Sequence, residues 1–375
     1  MGHIVVVGGG LAAARLCEQL RAKGHEGELT VLCAESCPPY DRPPLTKGAL
    51  TEERDTTLRT DFSSLRTDLR LGVPATSLDP DRDVVHTTEG EVPFDALVIA
   101  TGASPIRLPG PGPQFTVRTA EDAARLRARL VPGTHLLLAG ASWINAEVAT
   151  SALKAGCRVT CVEPGPAPLA LALGEEVGHR ITQWWSEVDL RLGTGVTEVT
   201  ATGARLTDGT HVDADVVVTG IGVRPETGWL AGSGIEVDRG VVVDEHLRTN
   251  RERVYAIGDV AARWSPRWNT RLRVEHWDDA RSAPETVAAV ILGDGGPLPV
   301  HDPVPYFWSD QFGRKIQYVG HHGPADSVEI RDGDEPKWSA AWHTPDGRLT
   351  AHLSVTQPKL MIKARAEIES AITAA

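Results

Sequence analysis

Two short segments carry the residue types and spacing that hold the diphosphate of a dinucleotide. In the first, Gly8-Gly9-Gly10-Leu11-Ala12-Ala13 follows the β-branched run Ile4–Val7 and opens a helical stretch through Leu20. This is G-x-G-x-x-A between a strand and a helix. Gly8 permits the tight turn, Gly10 lets the backbone approach the diphosphate, and Ala13 is small enough for close helix–strand packing. Leu11 and Ala12 complete the first turn, where unpaired N–H groups and the helix dipole favour negative charge. An acid about twenty residues further on would bind a ribose hydroxyl, and Glu35 stands there, just beyond the apolar run Leu29–Cys33.

The second segment, Leu136–Gly140 followed by Ala141-Ser142-Trp143-Ile144-Asn145, repeats the strand–turn–helix order, and the run Arg158–Val162 delivers Glu163 at the ribose position. Ser142 and Asn145 stand where the second and third glycines would be, so this site is either weakened or reshaped. Serine adds a small side chain at the phosphate approach, whereas asparagine adds bulk at the close contact. If Asn145 obstructs, Asn145→Gly should tighten nucleotide binding. Glu163 with no following Arg or Lys favours NADH over NADPH, because a carboxylate repels a 2′-phosphate. Gly140, Ser142, Ile144, Asn145, Glu163 and Gly222 are the candidate NADH contacts.

These segments need strands and helices to position them, and the chain is long enough to supply them. Its 375 residues predict two or three domains with their own cores. The formal charge of −12 argues against a general nucleic-acid or membrane-surface binder, which needs a basic face. The five cysteines (Cys17, Cys33, Cys37, Cys157, Cys161) are an odd number beside apolar runs, which reads as reduced thiols in a cytoplasmic protein. No histidine-rich cluster accompanies them, so no metal site is expected. No apolar run approaches the ~20 residues that span a bilayer, and the N-terminal run is too short for a signal peptide.

Further motifs carry a resemblance. Ala96–Gly102 ends in A-T-G and Val254–Asp259 ends in G-D, like the elements that return the chain to the flavin in two-dinucleotide flavoproteins. No Cys-x4-Cys pair of the disulfide-reductase kind is present. Instead Pro39-Tyr40-Asp41-Arg42-Pro43-Pro44-Leu45-Thr46-Lys47, Arg273-Val274-Glu275-His276-Trp277 and Val304-Pro305-Tyr306-Phe307-Trp308-Ser309-Asp310-Gln311 resemble segments of the FAD-dependent NAD(P)H:ferredoxin, rubredoxin and putidaredoxin reductases. The resemblance covers most of the chain. It implies an α/β fold with two Rossmann-like dinucleotide-binding domains, one inserted in the other, plus a small α+β C-terminal domain. The expected domains are 1–108 with 226–297 for FAD, 109–225 for NAD, and 298–375 for the C-terminal interface domain. That last domain should contain strands around Ile316–Val319 and Leu349–Val355. Its closing helix should bury Leu360, Ala364, Ile368 and Ile372 as one stripe.

The resemblance also implies roles. Arg42 and Lys47 would lie along the isoalloxazine, with Lys47 near its reactive N5 edge. Glu35 would hold the adenosine ribose, Ala100, Thr101 and Gly102 the phosphate and ribityl region, and Gly258 and Asp259 the ribityl chain. The Glu275–His276–Trp277 backbone would meet the pyrimidine edge, and Ala75 and Arg118 complete the FAD set. Trp308 would cover the ring near the nicotinamide, and Glu147 would face the carboxamide of NADH. The implied reaction is hydride transfer from NADH to flavin, then single-electron transfer to an acidic ferredoxin-type protein serving an oxygenase, by a monomer or homodimer. Arg263, Arg267, Arg271 and Arg273, in a stretch with no acid, are candidates for docking that partner. Two other readings stand beside this one: a flavoenzyme acting directly on a small metabolite with a degenerate NAD site, and a redox-responsive flavoprotein with little turnover.

Overall fold

The computed structural model describes residues 2–293, 295–333 and 336–371. The chain divides into two compact units. The first comprises 1–41, 56–104 and 224–307, and the second 42–55, 105–223 and 308–375.

The first unit is built on a five-stranded parallel sheet in the spatial order Val254–Ala256, Ala96–Ile99, Ile4–Val7, Leu29–Cys33, Asp68–Leu71. Val6 lies opposite Val31 on one side and Val98 on the other. The central strand is apolar at every position because a parallel sheet has both faces covered, and all four of its residues are buried. The helices Leu11–Ala22 and Trp277–Leu292 pack on each other. Leu16, Leu20, Ala283 and Val287 join the strand residues in one core. Antiparallel strands Ala75–Asp79, Val84–Thr87 and Gly90–Pro93 form a separate three-stranded sheet.

The second unit contains a four-stranded parallel sheet in the order Asp189–Leu192, Arg158–Glu163, His135–Ala139, Val216–Thr219. It also contains a five-stranded sheet ordered Tyr306–Gln311, Arg314–Gly320, Leu349–Val355, Trp338–His343, Ser327–Asp332. The tight turn between the first two of these strands places Phe312 and Gly313 at φ 48° and 75°, the left-handed pair that hairpin twist favours. The strands at Ser327–Asp332 and Trp338–His343 escaped the sequence reading.

The helix Pro358–Ser370 packs on this sheet through Ala364 and Ile368, both buried. The expected four-residue stripe is corrected at its first member, since Leu360 is 37% exposed. Each four-residue step overshoots a 3.6-residue turn by about 40°, so Leu360 lies about 80° round the helix from Ile368. Ile372 lies outside the described residues.

Candidate dinucleotide and redox sites

In the first unit the glycine turn is set by close backbone approach. Gly8 has φ 121°, and a Cβ there would lie 2.1 Å from the Ala100 carbonyl oxygen. Gly9, a position the fingerprint leaves variable, is as constrained: its Cβ would lie 2.2 Å from Cys33 Sγ. Gly10 differs, because a Cβ there meets nothing within 4 Å. The helix it caps has no side-chain cap and no acid in its first turn. An open space in front of an uncapped, acid-free helix N-terminus fits the diphosphate of FAD.

Of the other first-unit candidates, Gly258 and the Ala100–Thr101 backbone lie at that turn. Gly258, at φ 70°, packs against Ala12, so a Cβ on it would sit 3.5 Å from the Ala12 Cβ. This brings the Gly258–Asp259 turn to the start of the fingerprint helix. Glu35 accepts a hydrogen bond from the Tyr40 hydroxyl, which fixes its carboxylate beyond the second strand. Thr101 Oγ1 donates to the Glu226 carbonyl at 2.7 Å, and Gly102 takes φ 70°. Ala75 opens the first strand of the three-stranded sheet and is half-buried. Trp277 Nε1 donates to Asp41 Oδ1 at 2.6 Å. Glu275 is exposed and pairs with Arg273 at 2.6 Å. His276 caps the Trp277–Leu292 helix through its backbone and packs on Phe307, the ring centroids 4.9 Å apart. Burial lowers the His276 pKa to about 4, against the opposing pull of Asp279 and Asp259, so its ring is neutral.

In the second unit the altered glycine positions have structural work. Ser142 is the N-cap of the Trp143–Lys154 helix, its Oγ accepting from Asn145 N at 3.3 Å. Asn145 is fully buried, and its Nδ2 donates to the carbonyls of Ala139 and Gly140, both at 2.8 Å. The room comes from across the sheet: a Cβ on Gly220 would lie 2.6 Å from the Asn145 side chain. Of the two readings, weakened or reshaped, these contacts favour the second. Asn145 turns inward and ties the strand–helix turn together. Gly140 keeps the fingerprint conformation at φ 91°. Glu163 is held at both oxygens, by Ala141 N and Gly165 N at 2.8 Å each. Ile144 is 39% exposed in the first helical turn, and Gly222 adopts φ 108°.

Four donors converge on Glu147, which is buried. Oε2 accepts from Lys47 Nζ at 2.9 Å and from Thr46 Oγ1, and Oε1 accepts from Ser309 Oγ at 2.6 Å and Asp310 N at 3.1 Å. A carboxylate offers about four acceptor positions, so these are filled. Glu147 holds Lys47, which also donates to the Pro43 carbonyl at 3.2 Å. Arg42 donates to the Arg118 carbonyl, bringing these two candidates together. Trp308 is half-buried on the strand that presents Ser309. Sequence reading missed Thr46 and Ser309, whose small hydroxyls beside Lys47 and Trp308 were the available signal.

Of the four arginines, Arg263 is corrected as a docking residue. Arg263 is 2% exposed and lies 3.4 Å from Asp279 and 3.3 Å from Asp302. Arg271 donates to the Val243 and Ala262 carbonyls, Arg273 to the Asp259 carbonyl, and Arg267 to the Asp302 carbonyl. A desolvated guanidinium needs such partners, and Arg263 is turned inward by them, whereas Arg267, Arg271 and Arg273 are half-buried. His301 Nε2 meets Asp279 at 3.2 Å. Burial pushes the Asp279 carboxyl up, but the hydrogen bond and charge of His301, with Arg263, leave it below its ordinary range.

Residues 2–283 match the pyridine nucleotide-disulphide oxidoreductase family and 306–375 the reductase C-terminal family. The chain belongs to the pyridine nucleotide-disulphide oxidoreductase family. It is thus an oxidoreductase whose cofactors are FAD and NAD(H), for which the two cradles supply the turns. The ferredoxin reductase component of chlorobenzene dioxygenase from Cupriavidus sp. (strain PS12) is 33% identical, the match covering 98% of this chain and 94% of that one. Among solved structures, Fdr9 is 67% identical with a TM-score of 0.97, over 99% of this chain and 95% of that one. Putidaredoxin reductase in covalent complex with putidaredoxin is 29% identical with a TM-score of 0.91, over 98% and 92%. Among the described residues, no helix is long and apolar enough to cross a membrane, and no group of three His, Cys, Asp or Glu could hold a metal ion.

Proposed function

We propose that this family member is an NADH:ferredoxin reductase, delivering electrons through a small acidic iron–sulfur protein to an oxygenase, in the cytoplasm. The observation that carries this reading is the state of the cysteines in a chain of disulphide-oxidoreductase architecture. None of the five is in a disulfide, and four are buried. Burial raises the Cys17 thiol to about 12 and pushes Cys161 well above its ordinary value, so neither is a ready thiolate. The relatives named as ferredoxin and putidaredoxin reductases supply the alternative outlet.

FAD, when bound, supplies the conversion between a two-electron donor and a one-electron acceptor. The chain contributes position and charge. Glu147 fixes the Lys47 ammonium in one place, and a fixed cation favours negative charge developing beside it. Arg42 is anchored on the Arg118 carbonyl, and the Trp308 ring can exclude water from the nicotinamide side. The metabolite-directed alternative loses its motive, because Asn145 is an internal tie. In the test, anaerobic NADH is followed by ferredoxin-type acceptors of differing charge. Rapid flavin reduction and acceptor reduction support the proposal, and flavin reduction with no protein acceptor reduced refutes its second half.

A further inference from the structure

The second unit contains a cavity of about 750 Å³ with a basic wall that the proposed reaction does not use. Its wall brings together Arg127 from the Ala120–Arg127 helix, Lys154 from the end of the Trp143–Lys154 helix, and Arg314 and Lys315 just beyond the hairpin turn. Lys47 and Glu147 form another part of the lining, with Asp310. Five cations thus face two carboxylates in a protein whose overall charge is −12. Glu147 is already occupied by Lys47 and three other donors. Among the described residues, none of Arg127, Lys154, Arg314 and Lys315 forms an ion pair. Arg127 and Arg314 are held in place by neutral partners: Arg127 donates to the Ala49 carbonyl at 2.9 Å, and Arg314 donates to the Phe312 carbonyl and lies over the Trp184 ring. Lys154 and Lys315 are exposed and point charges of the kind phosphates attract.

We infer that this cavity binds a small organic oligophosphate. Its volume is that of a small-molecule site, and two anchored guanidinium forks with two lysines suit tetrahedral oxyanions better than a single carboxylate. The site is separate from the dinucleotide turn. Thr150, Ser151 and Lys154 lie in the C-terminal half of the helix capped by Ser142, about 12 to 18 Å along its axis at 1.5 Å per residue. An anion here would also compete with Glu147 for the Lys47 ammonium, making it an effector of flavin reduction. That consequence rests on the proposed role of Lys47, whereas the binding does not.

The test is calorimetric titration of the FAD-loaded protein with inorganic pyrophosphate and tripolyphosphate, first without and then with saturating NAD+. Binding is expected, tighter for tripolyphosphate. The exposed double variant Lys154→Gln/Lys315→Gln should weaken it roughly tenfold or more, the loss expected from removing two nearby charges. Arg239→Gln, which removes an exposed arginine outside the cavity, should leave it unchanged. Absence of binding at millimolar pyrophosphate and tripolyphosphate overturns the inference. So does equal weakening by Arg239→Gln, affinity unchanged in the double variant, or loss of binding when NAD+ is added.

Discussion

Asn145→Gly separates two accounts of the second dinucleotide turn. If asparagine were an obstacle, glycine would improve the site. The structure predicts damage instead. The substitution removes two buried hydrogen bonds, from Nδ2 to the Ala139 and Gly140 carbonyls. At about 1 kcal/mol net each, these contribute roughly 2 kcal/mol. The Ala139 carbonyl keeps its bond from Gly220 N, at 3.0 Å. Glycine in the first helical turn adds a few tenths of a kcal/mol through backbone entropy, and the space beside Gly220 is left empty. Asn145 Oδ1 is buried with no hydrogen-bond partner, and removing it returns about 1 kcal/mol. The net expectation is a loss of about 1–2 kcal/mol. Urea unfolding followed by tryptophan fluorescence reads it, while NADH titration of the same variant should show equal or weaker affinity. Unchanged stability together with markedly tighter NADH binding would refute the reasoning.

Other outcomes follow from the same contacts. Glu147→Gln should cost about 2 kcal/mol and slow flavin reduction at saturating NADH, measured by stopped flow, because it unpairs Lys47 inside a four-donor site. Arg263→Met should destabilise by about 3 kcal/mol in chemical denaturation, because buried Asp279 keeps only His301 and Asp302 loses its guanidinium partner. In the folded fraction its kcat/KM for a ferredoxin should equal that of the parent, whereas a docking arginine would raise KM. Burial lowers His352, like His276, to about 4 from an ordinary 6.5. The unfolded chain therefore binds these protons first, so stability should be full above about pH 6.5 and fall as pH drops towards 4, by up to roughly 3 kcal/mol per histidine. His352→Gln should flatten that profile in thermal melts across the range.

The parallel strands and both glycine turns were legible because their signal is local. A continuous apolar run followed by glycines at fixed spacing leaves few other structures, and Gly8 and Gly140 take the positive φ that the fingerprint requires. Legibility failed where function depends on residues far apart in sequence. Asn145 read as bulk because its compensation, the missing side chain of Gly220, lies 75 positions away. Nothing local announces that Thr46, Lys47 and Ser309 will fill the acceptor sites of Glu147. The arginines from 263 to 273 read as a surface because charge is usually exposed. Asp279 and Asp302, which draw Arg263 inward, are remote from it in sequence.

The central claim is that NADH reduces a flavin held by this chain and that the electrons leave through a protein acceptor. Anaerobic stopped-flow mixing of the FAD-loaded protein with NADH, with a ferredoxin-type protein in the second mix, tests it most directly. The account predicts loss of the oxidised-flavin absorption, then its return as the iron–sulfur protein is reduced. An oxidised-flavin spectrum unchanged at millimolar NADH would contradict it.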